Sequence, residues 1–463
     1  MDRLKTAGGR RGNRLGERKG STLGRHRRQA GAGARVSAAP EVVRHRLHHG
    51  LEVVVCPRPQ LSQAHVSLFV GVGSRHESAR TNGITHMLEH MLFRGTASFP
   101  DATALNAAAE DLGGFLEGAT YRDHMVLATG CHPDAVLEAI EILGEICLSP
   151  RYDALEVERS IVREELLETL DARGRMVDLD NIAHRSVFGS EGLGLPIEGT
   201  PENLAGFDEG ALEAHRSAFM VSGNMVLSVA GDVEPDDVIQ AAERIFRPVP
   251  VGAHPRESAG REPAASPHMR FIRDASSQID IRVSFRSVPV HHPEYPALVL
   301  LARLLADGLA SRMHAELVDR RGLAYALHAG LTTYSDDGLF DFDVSVAPHR
   351  AAEALESLLA FAQSTKGFRF TRSELLRARR RYRYGLAFME DCAADLAAWH
   401  GRATLFGHVR DLEALESRIA RVDETRLRRA ASNVFTRRGL VVTAVGELAR
   451  GELGRMRRIV EQF

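Results

Sequence analysis

Two histidines stand four residues apart in Thr85-His86-Met87-Leu88-Glu89-His90, with a carboxylate three residues after the first. On an α-helix, positions i and i+4 share one face about a turn apart. His86 and His90 can therefore offer two imidazole nitrogens to one metal ion, and Glu89 falls on the same flank. His-x-x-Glu-His is the inverted form of the His-Glu-x-x-His arrangement of zinc peptidases. A catalytic zinc takes three protein ligands and keeps one position open, so a third ligand must come from elsewhere. In the segment from Leu155 to Leu170, Leu155, Val162, Leu166 and Leu170 mark the buried stripe of a helix, and Glu158 and Glu165 lie two turns apart on roughly one face. One of these carboxylates can approach the metal while the other supports a histidine from behind. Spacing alone does not choose among Glu158, Glu164, Glu165 and Glu168. The chemistry such a set supports is hydrolysis. Zn²⁺ lowers the pKa of a bound water toward ~7 and polarises a carbonyl, and a carboxylate placed like Glu89 takes the proton and passes it to the leaving amine.

The elements that must hold these residues belong to a chain of 463 residues, too long for one ordinary core, with 44% apolar residues to build two or more. No apolar run is long enough to span a bilayer. The formal net charge of -2 supplies no general attraction to nucleic acid or to an anionic membrane. Cys56, Cys131, Cys147 and Cys392 are scattered without a Cys-x-x-Cys pair, which fits reduced thiols in a cytoplasmic compartment and argues against a cysteine metal site. Residues 1–40 are rich in Arg, Gly and Ala and read as a disordered basic tail. A domain is expected over 41–246, with strands at Leu51–Cys56, Ala64–Gly73, within Phe115–Gly130 and at Met225–Gly231. Its expected helices are near Gly83–Phe93, Ala102–Leu112, Pro133–Ile146 and Leu155–Leu170. Pro248, Pro250, Pro255, Pro263 and Pro267 mark a linker over 247–268. A second domain over 269–463 repeats the order. It has a strand at Gln278–Val288, helices at Pro296–Ala306 and Arg312–Asp319, strands within Tyr325–Val346, and helices at Ala351–Ala362 and Arg372–Met389. Matching element order in the two halves reads as an internal duplication in which only the first half carries His-x-x-Glu-His.

Several blocks in sequence widen the pattern: Gly71-Val-Gly-Ser-Arg75, Asn82-Gly-Ile-Thr-His-Met-Leu-Glu-His-Met-Leu-Phe-Arg-Gly-Thr96, Leu112-Gly-Gly114, Glu158-Arg-Ser-Ile-Val-Arg-Glu-Glu165, Leu195-Pro-Ile-Glu-Gly-Thr200, Ser222 to Asp232, and Arg321-Gly-Leu-Ala-Tyr325. With them the chain resembles the pitrilysin/insulinase family of zinc peptidases, over nearly everything after the tail, and in length it is similar to members such as the mitochondrial processing peptidase β subunit. The resemblance implies an α+β fold of two similar α/β domains, each a largely antiparallel sheet covered by helices, enclosing a substrate cleft. It implies that His86, His90 and Glu165 hold Zn²⁺, that Glu89 is the general base, that Glu158 supports a ligand, and that Tyr325 reaches the substrate. Peptides would add as a strand along Phe115–Thr120, contacting Glu117, Gly118, Ala119 and Thr120.

Two departures stand out. Glu117 occupies a place where short members usually carry Asn, either as a surface change or as an extra acid near the cleft that favours basic substrate residues or competes for the metal. Val318 stands where an Arg usually precedes the Tyr of Gly-Leu-Ala-Tyr by seven residues, with Arg320, Arg321 or a partner chain as substitutes. The expected activity is that of a zinc-dependent metalloendopeptidase acting on peptides or unfolded segments, working alone or as a homo- or heterodimer with a family paralogue. The alternative is a non-catalytic or partner-dependent assembly subunit. The expected location is the cytoplasm, or the mitochondrial matrix in a eukaryote.

Overall fold

The computed structural model describes residues 41–255, 267–324, 326–408 and 411–463. The basic tail and the centre of the Pro-rich linker lie outside the described residues.

Short β-branched and apolar runs build a first sheet from β1 (Val43–Arg46), β2 (Glu52–Pro57), β3 (Ala64–Val70), β4 (Leu116–Thr120), β5 (Met125–Cys131) and β6 (Met225–Gly231). Its spatial order is β1-β2-β6-β3-β5-β4, antiparallel except for the β2/β6 pair. Helices α1 (Ile84–Leu92), α2 (Ala102–Asp111), α3 (Val136–Leu148), α4 (Leu155–Glu168), α5 (Leu179–Phe188), α6 (Pro201–Gly206), α7 (Glu209–Phe219) and α8 (Pro235–Ile245) lie in the same half of the chain, and Val187 and Phe188 of α5 pack instead with Leu339 and Val441 of the second half. The second half contains β7 (His268–Arg273), β8 (Ile279–Ser287), α9 (Tyr295–Ala306), a π-helical segment His314–Arg320, β9 (Ala326–Thr333) and β10 (Gly338–Val346). Then come α10 (Ala351–Thr365), α11 (Arg372–Met389), α12 (Ala393–Leu405), α13 (Leu412–Ala420), α14 (Glu424–Val434), β11 (Leu440–Gly446) and α15 (Glu452–Gln462).

The second sheet runs β7-β11-β8-β10-β9, again with one parallel pair, β7/β11. Strand for strand this repeats β2-β6-β3-β5-β4, so the two halves are similar α/β units with largely antiparallel sheets, as the element order predicts. Burial agrees at the level of single residues: the pattern along 155–170 recurs along 375–390, differing only at Leu166 against Leu386. In that alignment Ala378 replaces Glu158 and Gly385 replaces Glu165, so the second half keeps the helix and lacks both carboxylates.

Every residue of β3 and β6 is buried, because both faces of the first sheet are covered. Val66, Leu68 and Val70 point into the core shared with α1 and α3. On the other face Phe69 packs against Leu396 and Ala397 of α12, a helix contributed by the second half. The halves are also joined by polar contacts. Arg282 bonds Asp180 (2.5 Å) and Asp343 (2.7 Å), Arg75 grips both oxygens of Asp336 at 3.0 and 2.6 Å, and His184 Nε2 lies 2.9 Å from the Tyr334 hydroxyl.

Two outcomes follow from this packing. α12 approaches the sheet so closely that a Cβ on Gly401 would sit 2.2 Å from the Phe69 ring. Gly401→Ala gains up to about 1 kcal/mol of helix propensity, but overpacking a close contact costs roughly 1–3 kcal/mol. A net loss of stability in chemical denaturation is therefore expected. Asp341 is fully enclosed beside Ser284, whose hydroxyl donates to it at 2.6 Å. Burial raises its pKa from 3.8 to about 7, against the opposing pull of Arg282 and Ser284. The unfolded chain loses this proton first, so the stability linked to protonated Asp341 is complete below about pH 4 and lost as pH rises through about 7. Asp341→Asn should flatten that decline in stability measured by thermal melts across the range.

Candidate metal centre

The helix carrying the histidines starts where it does because a carboxylate receives its free amides. Glu77 accepts from the backbone N–H of Gly83 (2.8 Å) and Thr85 (2.9 Å), and from the Asn82 amide (2.9 Å). A negative group at a helix N-terminus is favoured by the exposed N–H groups there. Gly83 has φ +97 and crosses Gly199, φ +78, so tightly that a Cβ on Gly83 would lie 2.9 Å from the Gly199 Cα. The Asn82-Gly and Glu-Gly-Thr200 blocks of the sequence thus meet as one crossing of two loops. Ile84, Met87, Leu88, Met91 and Leu92 anchor α1 in the core, which turns His86 and His90 toward α4.

Three atoms converge there. Glu165 Oε2 lies 3.3 Å from His86 Nε2 and 3.3 Å from His90 Nε2. A tetrahedral zinc with ligand bonds of about 2.0–2.1 Å separates its ligand atoms by roughly 3.3 Å, so both separations from Glu165 have the size the ion requires. Neither ring nitrogen of His86 has a hydrogen-bond partner although both are buried, as expected of a group reserved for an ion. Glu89 also clusters with the two histidines, but its Oε2 approaches the other nitrogen of His86, Nδ1, at 3.6 Å and accepts the Thr120 hydroxyl at 3.1 Å. Of the two carboxylates, Glu165 is the one that faces both Nε2 atoms.

Glu158, 2% exposed, lies behind His90 with Oε1 2.8 Å from Nδ1. A carboxylate only accepts, so Nδ1 carries the hydrogen and the Nε2 lone pair faces the cluster. Arg94 holds the other Glu158 oxygen. Burial pushes the Glu158 carboxyl up, but His90 and Arg94 outweigh it and hold it below its ordinary value. For His90, burial lowers the pKa, yet the Glu158 hydrogen bond and the charges of Glu89, Glu165 and Glu158 together raise it.

A cavity of about 1180 Å³ opens over the cluster, lined by Glu89, Gly118, Thr120 and Glu165 from the first half and by Asp280 and Val445 from the second. Strand β4 is the edge of its sheet. Gly118 and Thr120 face this cavity, with Ala119 at its border, whereas Glu117 lines a separate cavity on the opposite face with His65 and Trp399. Successive strand residues point to opposite faces, so Glu117 does not join the metal cluster. Glu164 is exposed on the outer side of α4, and Glu168 lines the cavity. Val318 lies in the π-helical segment. Arg320 and Arg321 both pair with Glu316, at 2.9 and 3.0 Å. Tyr325 is outside the described residues. Arg94 and the hydroxyl of Thr120 are contacts that motif reading did not assign. The position of Arg94 one turn after His90 was the available signal.

Residues 52–201 match the family description "Insulinase (Peptidase family M16)" and residues 207–382 match "Peptidase M16 inactive domain". A zinc protease of Bacillus subtilis is 23% identical, covering 85% of this chain and 96% of the relative. One of Mycobacterium leprae is 27% identical, covering 86% and 90%. A probable mitochondrial-processing peptidase subunit beta of Arabidopsis thaliana is 25% identical, covering 89% and 80%. The crystal structure of a protease from Helicobacter pylori superposes with a TM-score of 0.82 at 20% identity, covering 88% of this chain and all of the other. The fold and the convergent histidines and carboxylate define a metallopeptidase. The chain belongs to the insulinase family, peptidase family M16.

Replacing Glu158 with Gln keeps its shape but removes the charge that orients His90. Zinc affinity, read by competition with a chromophoric chelator, should fall by about 10- to 100-fold, the usual effect of losing a partner behind a ligand.

Proposed function

We propose that this chain is a zinc-dependent metalloendopeptidase that hydrolyses peptides or unfolded segments. The observation that carries the reading is the convergence of His86 Nε2, His90 Nε2 and Glu165 Oε2 with the Glu89 carboxylate alongside. These three ligand atoms would hold zinc, which supplies polarisation of a scissile carbonyl and a water acidic near neutral pH. Glu89 is the general base: its Oε2 takes the proton and returns it to the departing amine. The Thr120 hydroxyl donates to that same oxygen and holds it in place. Glu165 is about half exposed, so the cluster stays open to the cleft. An extended peptide pairs with the free edge of β4, beside Gly118, Ala119 and Thr120, and main-chain pairing tolerates varied side chains.

A second reading makes activity dependent on another chain of the family. It is favoured by the engagement of Arg320 and Arg321 with Glu316 and by the apolar Val318, which leave that segment without a free cation for the substrate. The Arabidopsis relative is named as a subunit, which supports a paired assembly. Among the described residues no helix is long and apolar enough to cross a membrane. All four cysteines are free thiols, in keeping with a reducing, cytoplasmic setting.

The test is Glu89→Gln. Zinc content should remain that of the wild type while cleavage of a mixed peptide library, read by mass spectrometry, falls by ~10²–10⁴-fold. Chelation should abolish wild-type cleavage and added zinc restore it. Cleavage by Glu89→Gln at the wild-type rate would sink the assignment. Cleavage that appears only after a family chain is added supports the second reading.

A further inference from the structure

Far from the cleft, the turn between β1 and β2 places two adjacent histidines against α8. Leu47 is buried beneath this turn, Gly50 N–H closes it on the Leu47 carbonyl at 2.9 Å, and Gly50 takes φ +108. The Ser222 hydroxyl donates to the His49 carbonyl at 2.5 Å. Glu243, in the last turn of α8, binds the turn with both oxygens: Oε1 accepts from the His48 N–H at 3.1 Å and Oε2 lies 2.5 Å from His48 Nδ1. His49 is 9% exposed; neither ring nitrogen makes a well-formed hydrogen bond, and the Phe246 backbone is a polar neighbour of the ring. A buried imidazole with both nitrogens unsatisfied is costly unless something occupies them.

We propose that His48, His49 and Glu243 form a second site for a divalent ion of the zinc class, clamping the β1–β2 turn to the end of α8. The three residues each offer a ligand atom, and these atoms all lie within 4.8 Å of one another. The two rings are 5.1 Å apart between centroids and tilted by 54°, so they are not stacked face to face and their edges can converge on one ion. Two imidazoles and one carboxylate form a borderline donor set suited to zinc rather than to magnesium or calcium. The His48 side chain is 63% exposed, so its side of the cluster is open to solvent. An ion pair between His48 and Glu243 explains their contact without a metal, but it leaves His49 without a function.

The experiment is zinc counting on the full chain, stripped with chelator and dialysed against buffered Zn²⁺. A His86→Ala, His90→Ala chain, which has lost the cleft ligands, should still bind one zinc per chain, and the ion should raise its melting temperature. Adding His48→Ala and His49→Ala should remove that zinc. His48→Ala alone, at an exposed position, guards against loss through misfolding. Glu243→Gln should weaken the site by more than the ~10-fold typical of losing a partner outside the ligand set. If the His86→Ala, His90→Ala chain binds no zinc, or binds zinc that survives loss of His48 and His49, the proposal is wrong.

Discussion

The hydrogen bond from His90 Nδ1 to Glu158 sets the geometry on which the site depends. It fixes the tautomer of His90, and it ties α1 to α4 at the point where His86, His90 and Glu165 converge. A carboxylate as buried as Glu158 is stable only when its charge is answered, and here His90 and Arg94 answer it from two sides. Because Glu158 cannot leave this arrangement cheaply, the phase of α4 is locked. Two turns further along, Glu165 then falls where both Nε2 atoms point.

The duplicated architecture shows what the rest of the chain adds. The second sheet repeats five strands of the first in one order, and α11 reproduces the burial of α4 at every position but Leu386. Ala378 and Gly385 stand where the carboxylates would be, so the second half has the scaffold of the centre without its donors. It serves instead as the opposite wall of the cleft, through Asp280 and Val445, and as a lid on the far face of the first sheet, through α12. Arg282, Arg75 and His184 cross the seam between halves, so the two halves are held together by partly buried polar contacts as well as by apolar packing.

Much of the fold is legible in the residues. Met225–Gly231 and Arg372–Met389 form the strand and helix read from their apolar patterns, and α1, α2 and α4 begin and end within a few residues of expectation. Other elements escaped. Helices α12 to α15 and strand β11 were not anticipated, and neither was the packing of α12 on the first sheet. α12 is built on small residues, Ala393, Ala397 and Gly401, that create a flat contact surface and leave a weak hydrophobic signature. The segment read as a helix at Arg312–Asp319 is π-helical over most of its length, a difference that periodicity does not resolve.

By itself the sequence determined the local chemistry: two imidazoles and a carboxylate on one helical face, and two further carboxylates two turns apart on another helix. Those relations depend only on the 3.6-residue repeat, which neighbouring residues specify among themselves. Tertiary structure decided which glutamate meets both histidines and which one lies behind them, because that depends on the rotation of α4 against α1 and on the burial of Glu158. It also decided that Glu117 faces away from the metal, since the register of β4 against β5 assigns alternate residues to opposite faces. Contacts between segments far apart in the chain are set by packing, and spacing along the chain carries no record of them.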